Sequence, residues 1–324
     1  MNEKYIEALA QYDMTTDSVR KGRSGWICET SLGTVLLKEY RGTQKRLEFE
    51  VQVLGQVRET GLVRVDDYIM TAEGGLISLA EDGTRYVLKH WYTDRECNLK
   101  DHREILMAVQ QIARLHKELR RIPREESWSL GSIMVETLEE EMARHNQELK
   151  RARNYIKNKR KKTEFERCVM SNYQMFYAQA SEAWQGMKEL GQKEGNRQFL
   201  CHGNLDHHHI LMGDGYVALI EFNKMHLGNQ MADLYHFMRK VMEKREWNQE
   251  IGTEMLSAYN QVLPLKEAER SCLYYLFLYP EKYWKQINFY YNARKAWIPA
   301  RNMEKVQTLV AQMDARKKFL NVLR

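Results

Sequence analysis

The segment CHGNLDHHHILM, Cys201 to Met212, sets His202, His207, His208 and His209 beside Asn204 and Asp206, so that four of the chain's ten histidines fall in one loop. Imidazoles and carboxylates packed this densely suit either a transition-metal site or a loop that handles protons in catalysis. Consecutive residues of one loop seldom all point at one ion, and no HExxH-type helical spacing is present. The residues therefore argue against a native metal site. Cys201 ends the apolar run Phe199-Leu200-Cys201, where a small buried thiol is commoner than a nucleophile.

The elements that would carry this loop can be read from periodicity. Ser24 to Glu29 alternates weakly, a turn follows at 31–34, and Val35 to Tyr40 is a strand bearing Lys38, so the pair is expected to form a hairpin. Thr43 is placed to cap a helix on which Leu47, Glu50, Val51, Leu54 and Val57 recur at helical spacing up to Gly61. Strands are expected over Val65–Thr71, Leu76–Leu79 and Tyr86–Trp91. Beyond Asn98, a candidate cap, the pattern turns helical, with Ile105, Val109, Ile112 and Leu115 as an apolar stripe ending near Leu119. Residues 133–190 lack proline and read as two long helices, broken near KNKRKK (157–162) and stopped by Gly191. YVALIEF, Tyr216 to Phe222, is another strand, and helices fill the rest. The fold class is α+β: a small strand-rich lobe, 1–93, and a large, mainly helical lobe, 94–324, with a helical insertion at about 133–190.

Composition narrows the function. The 324 residues are 43% apolar and 29% charged, with a mean hydropathy of −0.65, which is the profile of a globular chain with much solvated helical surface. No run reaches the ~18 apolar residues of a membrane span, and the N-terminus lacks a secretory pattern, so synthesis in the cytoplasm is expected. Five scattered cysteines without a CxxC pair read as reduced packing thiols. A net charge of +6 with a single basic run and no binding motif gives no basis for a nucleic-acid partner.

The order of features resembles the protein-kinase-like fold, in the branch of aminoglycoside phosphotransferases and choline kinases. A strand lysine, Lys38, precedes a helix carrying Glu48 and Glu50; later come His202-Gly203-Asn204, Ile220-Glu221-Phe222 and Asp233. In that branch the catalytic loop reads HGDxxxxN and the metal-binding strand end reads I-D-[FW]. Here Asn204 stands in the slot of the catalytic aspartate, His209 in that of the loop asparagine, and Glu221 in that of the metal-binding aspartate. An amide cannot act as a base, and an imidazole suits magnesium poorly. Asp206 is the loop carboxylate available as a substitute. Lys38 and Glu50 would hold a nucleotide or form a plain strand-to-helix ion pair. KGRSGWICETSLG is no GxGxxG loop, although Gly22 and Gly25 permit a close turn.

A second resemblance covers the chain from about Val19 onward. YVLKHWYTDRECN from Tyr86, MADLYHFMRKVMEK from Met231 and LYPEKYWKQINFYYNARKAWIPARNMEKV from Leu278 are similar to the CotS family of bacterial spore coat proteins. The resemblance implies residence in the spore coat, other coat proteins as partners, and a scaffolding role on a catalytically impaired kinase fold. The alternative is an active ATP- and magnesium-dependent phosphotransferase, acting on a small molecule or coat protein, with Glu221 on the metal and Asp206 as base. A third reading is a cleft that binds a ligand without chemistry. The aromatic string from Tyr274 to Trp297 is expected to pack the C-terminal helices, any exposed rings serving for docking.

Overall fold

The computed structural model describes residues 4–195, 198–292 and 299–324. Contacts divide the chain into two compact units, Met1–Met134 with Phe199–Leu227, and Val135–Gln198 with Gly228–Arg324. The passage from strands to helices near residue 93 lies inside the first of these.

The first unit opens with α1 (Lys4–Leu9) and a sheet built from β1 (Thr16–Lys21), β2 (Trp26–Thr30) and β3 (Gly33–Glu39). After α2 (Gln44–Glu59) come β4 (Arg64–Val65), β5 (Tyr68–Ile69), β6 (Ser78–Leu79), β7 (Arg85–His90) and β8 (Arg95–Glu96). The main sheet runs β1-β2-β3-β7-β5, with β6 also on β7, and every pairing is antiparallel. Val35, Leu37 and Leu88 bury one face against Ala8 and Leu9 of α1. The period of two sends Leu36 and Lys38 to the other face. There the register sets Lys38 opposite Val87 and Leu36 opposite Lys89.

Thr43 caps α2 as its position suggested, its hydroxyl accepting from the Arg46 N–H. The buried stripe of α2 is Leu47, Glu50, Val53, Leu54 and Val57 together with Phe49, whereas Val51 stays half-buried. Next comes α3 (His102–Leu119), capped by Asp101 rather than Asn98, because Asp101 Oδ1 receives two N–H groups of the first turn. The unit ends with the short α4 (Leu130–Ile133) and the returning strands β9 (Phe199–Cys201), β10 (Ile210–Gly213), β11 (Tyr216–Leu219) and β12 (His226–Gly228). These form a sheet β4-β11-β10-β8 and a pair β12-β9.

The second unit is helical: α5 (Leu138–Asn158), α6 (Glu164–Glu194), α7 (Met231–Lys244), α8 (Gln249–Val262), α9 (Glu267–Leu278), α10 (Glu281–Asn292), α11 (Pro299–Ala311) and α12 (Met313–Leu323). Capping boxes at Thr137/Glu140 and Thr163/Glu166 start the two long helices. The basic run is the corner between them, where Lys159 pairs with the buried Glu166 and Lys162 covers the carbonyls of Lys157 and Lys159. Gly191 does not stop α6. One helical glycine costs only about 1 kcal/mol, and the helix runs to Glu194, ending at Gly195 with φ 71°. In the aromatic string, Tyr283 is fully buried on Phe176 with its hydroxyl on the Val169 carbonyl, and Tyr279 donates to Asn146. Every described ring of the string is buried or half-buried, and Trp297 lies outside the described residues.

Candidate functional site

Lys38, Glu50, Asn204, Asp206, His209 and Glu221 all fall in the first unit. Lys38 reaches from β3 to Glu221, with Nζ 2.5 Å from Oε2. The expected Lys38–Glu50 pair is not formed. Glu50 is held by Arg46, one turn earlier on its own helix, at 2.6 Å, and by the Tyr68 hydroxyl at 2.5 Å. A partner on the same helix turn needs little ordering to meet it, and Arg46 is itself tied to the carbonyls of Ser132 and Asn223.

Glu221 is a left-handed non-glycine residue, φ 68° and ψ 53°, a conformation that costs of order 1–3 kcal/mol. Its N–H donates to Asp66 Oδ2 at 3.0 Å, and Lys89 Nζ sits 2.7 Å from the same oxygen. Lys89 also lies 4.5 Å from the centre of the Tyr68 ring. Arg46, Glu50, Tyr68, Lys89, Asp66, Glu221 and Lys38 thus form one continuous polar chain. Burial pushes the Glu221 carboxyl up, but Lys38, the Ser24 hydroxyl and Lys89 outweigh it and hold the group below its ordinary range. Ser24 belongs to the turn between β1 and β2, closed by the Gly22 N–H on the Gly25 carbonyl. A methyl group on Gly25 would stand 2.3 Å from the Leu37 carbonyl oxygen, so this turn lies tight against the lysine strand.

The histidine loop runs from β9 to β10. Gly203, at φ +80°, lets the chain pass where a Cβ would be 2.2 Å from the Lys224 carbonyl oxygen. His202 is fully buried; the Asn204 N–H donates to its Nδ1, which places the ring proton on Nε2, facing the Ile220 carbonyl at 3.0 Å. These two contacts make His202 a residue that holds the loop in shape. Asp206 caps the single turn His207–His209 by accepting the His208 N–H. His209 Nδ1 lies 2.9 Å from Asp206 Oδ1, and His209 Nε2 lies 3.3 Å from Asn204 Nδ2. Burial raises the Asp206 carboxyl, yet the bond and charge of His209 and the His208 N–H carry it far below the usual range. A carboxylate so stabilised is a weak proton acceptor.

The donors expected to hold magnesium do not suit that ion. Glu221 is the one carboxylate at those positions, and Lys38 occupies its Oε2. His209 offers nitrogen, and Asp206 and Asn204 already face its two ring atoms. Sequence reading missed Arg46, Asp66, Tyr68 and Lys89. Lys89 gave a signal, since a lysine within the apolar strand YVLKHW must find a partner. Asp233, on α7 of the second unit, is buried.

Residues 8–323 match the family described as "Spore coat putative kinase YutH". Spore coat protein S of Bacillus subtilis (strain 168) is 22% identical over 339 residues, covering 98% of this chain and 93% of its own length. The aminoglycoside phosphotransferase of Alicyclobacillus acidocaldarius superposes with a TM-score of 0.84 at 16% identity, over 98% of this chain and 94% of that one. Spectinomycin phosphotransferase in complex with ADP and spectinomycin gives 0.64 at 10% identity, over 95% and 96%. The kinase-like, two-part α+β fold expected from the order of motifs is therefore the fold of this chain. With a family match spanning nearly every residue and a spore coat relative aligned over nearly all of both chains, the chain belongs to the spore coat kinase-like family of YutH.

Proposed function

We propose that the protein is a resident of the spore coat whose kinase-like fold has lost efficient phosphoryl transfer and works by binding other coat components. The observation that carries the reading is Asn204. The loop's catalytic slot holds an amide that neither accepts a proton nor reaches a carboxylate, and its side chain is turned to His209. The engagement of Lys38 by Glu221 supports the same reading, because an active kinase pairs its strand lysine with the helix glutamate, and Glu50 is held by Arg46 instead. None of the described rings of the aromatic string is fully exposed, which directs attention for partner contacts to other surfaces as well. The test is phosphate transfer from ATP, with magnesium or manganese, to solubilised coat proteins and to small amino alcohols. No transfer above that of Lys38→Ala is expected, and robust transfer lost in that variant overturns the reading. Recovery of the protein in the coat fraction of spores tests its location.

One contact favours a second reading, an unorthodox phosphotransferase. Asp206 faces His209 Nδ1, and His209 Nε2 faces Asn204, so His209 is the loop's other candidate for a general base. In that case His209→Ala abolishes turnover while the melting temperature stays nearly unchanged.

A further inference from the structure

We propose that Asp206, His207 and His208 form a binding site for a divalent first-row transition ion, of the zinc or cobalt class, that has no counterpart among the magnesium positions of the kinase fold. The sequence argued against such a site, since consecutive side chains diverge in extended loops. The backbone removes that objection: residues 207–209 form one tight turn capped by Asp206. The His207 and His208 rings lie 3.9 Å apart, centre to centre. One ligand atom from each of Asp206, His207 and His208 lies within 4.8 Å of the other two. A tetrahedral ion with bonds of about 2.0–2.1 Å needs its ligands roughly 3.3 Å apart. Small rotations of two half-exposed rings cover that difference.

A second observation lies outside the trio. Glu96, at the end of β8, places Oε2 2.5 Å from His208 Nδ1. A carboxylate on one ring nitrogen fixes the tautomer and leaves the lone pair of the other nitrogen, Nε2, for an ion, which is the support that metal-ligating histidines commonly have. The contacts of Asp206 with the His208 N–H and with His209 both use Oδ1, so Oδ2 can be given to an ion. Two imidazoles and one carboxylate, without thiolates, select borderline ions over magnesium and calcium. Three protein ligands leave at least one coordination position for water or an anionic oxygen. The site does not depend on the coat-scaffold reading and stands whether or not the cleft is catalytic.

The test uses the full chain without an affinity tag, stripped with a chelator and dialysed. Zinc is titrated by calorimetry and cobalt by its visible absorption, with excess magnesium present throughout. One zinc per chain at micromolar affinity is expected. His207→Ala and His208→Ala each weaken it by about 10-fold or more, and Glu96→Gln, which touches no ion, weakens it by about 10–100-fold. His226→Ala, outside the cluster, leaves it unchanged. Absence of stoichiometric zinc binding by the wild-type chain overturns the proposal. Binding that survives both histidine substitutions overturns it too, since the ion would then sit elsewhere. Melting curves of the metal-free variants that match wild type establish that a lost titration is lost ligation; cobalt spectra lacking imidazole ligation in the wild type count against the site independently of any variant.

Discussion

Lys38 is neutralised by Glu221 across 2.5 Å, while Glu50, the carboxylate on the helix that follows, belongs to Arg46 and Tyr68. The two acids have therefore divided the two bases between them. Glu221 is one methylene longer than the aspartate that the kinase-fold pattern carries in its slot, and the left-handed turn at its own backbone aims that extra reach at the lysine. A ligand bearing phosphates would have to displace a carboxylate already in contact.

Competition of this kind has a measurable sign. Removing the rival carboxylate with Glu221→Gln should enlarge the thermal shift produced by ADP without metal, and Lys38→Met should abolish it. Each substitution alone is expected to cost about 1–3 kcal/mol, with the double variant losing less than the sum by a similar amount. Lys38 keeps partial solvent contact, which holds the cost at the lower end. Equal ADP shifts in wild type and Glu221→Gln would show that the pair and the nucleotide do not compete.

Gly203 links the histidine loop to the turn after Glu221. Its positive φ and the Lys224 carbonyl 2.2 Å from where a Cβ would stand make two separate penalties. Gly203→Ala should destabilise by at least about 2 kcal/mol, as a lower urea midpoint with an unchanged slope. A variant within about 0.5 kcal/mol of wild type would mean that the loop relaxes freely, and its histidine geometry would then carry little weight.

What could be read in advance follows the range of the interactions. Thr43 as a cap, the stripe Ile105–Val109–Ile112–Leu115 and the strand around Lys38 are local patterns, and each was legible. The strand β1, TDSVRK, was not, because it is an almost wholly exposed edge without alternation. The charge pairing was also out of reach. Whether Lys38 meets Glu50, twelve positions on, or Glu221, 183 positions on, depends on Arg46 and Tyr68 having already claimed Glu50. The loop's histidines were visible as a composition, but their convergence needed the turn that Asp206 caps.

His145 gives a pH dependence confined to the helical unit. It is buried with its ring stacked 3.5 Å from that of Trp284. Burial first, then Arg144, push it down to about 4 from 6.5, against the opposing pull of Glu148, Glu281 and Glu136. The unfolded chain therefore binds the proton more readily, and stability rises with pH through this window. It is fully present above about pH 6.5 and is lost as the pH falls toward 4, by roughly 3 kcal/mol at most. Glu281, held at about 2, adds a further loss only below about 4.5. His145→Phe keeps the stack and should lessen the fall of the melting temperature between pH 6.5 and 4.5, leaving the share of His236 and His90, whose imidazoles burial also pushes down, and the steeper fall below that window. An unchanged profile in that variant would remove His145 as the titrating group.

Arg316 closes the end of α9 from α12. Its guanidinium is buried and donates to the carbonyls of Phe277, Leu278 (2.7 Å) and Tyr279 (3.2 Å), with Nη1 on Gln179 at 3.1 Å. A helix end leaves its last carbonyls without partners and carries partial negative charge. Burial lowers Arg316 only to about 10, so the cation persists at neutral pH. Replacing it by Met fills the volume but leaves several buried acceptors unmet, at an expected cost of about 3–5 kcal/mol. Arg316→Lys should recover only part, because an ammonium cannot span the same fork of carbonyls. Urea unfolding of both variants measures this, and hydrogen exchange localises it, since a capping role predicts faster exchange in the last turn of α9 before any other helix. If Met and Lys prove equivalent, the fork geometry is not what holds this end, and side-chain packing of Phe277 and Phe319 must hold it instead.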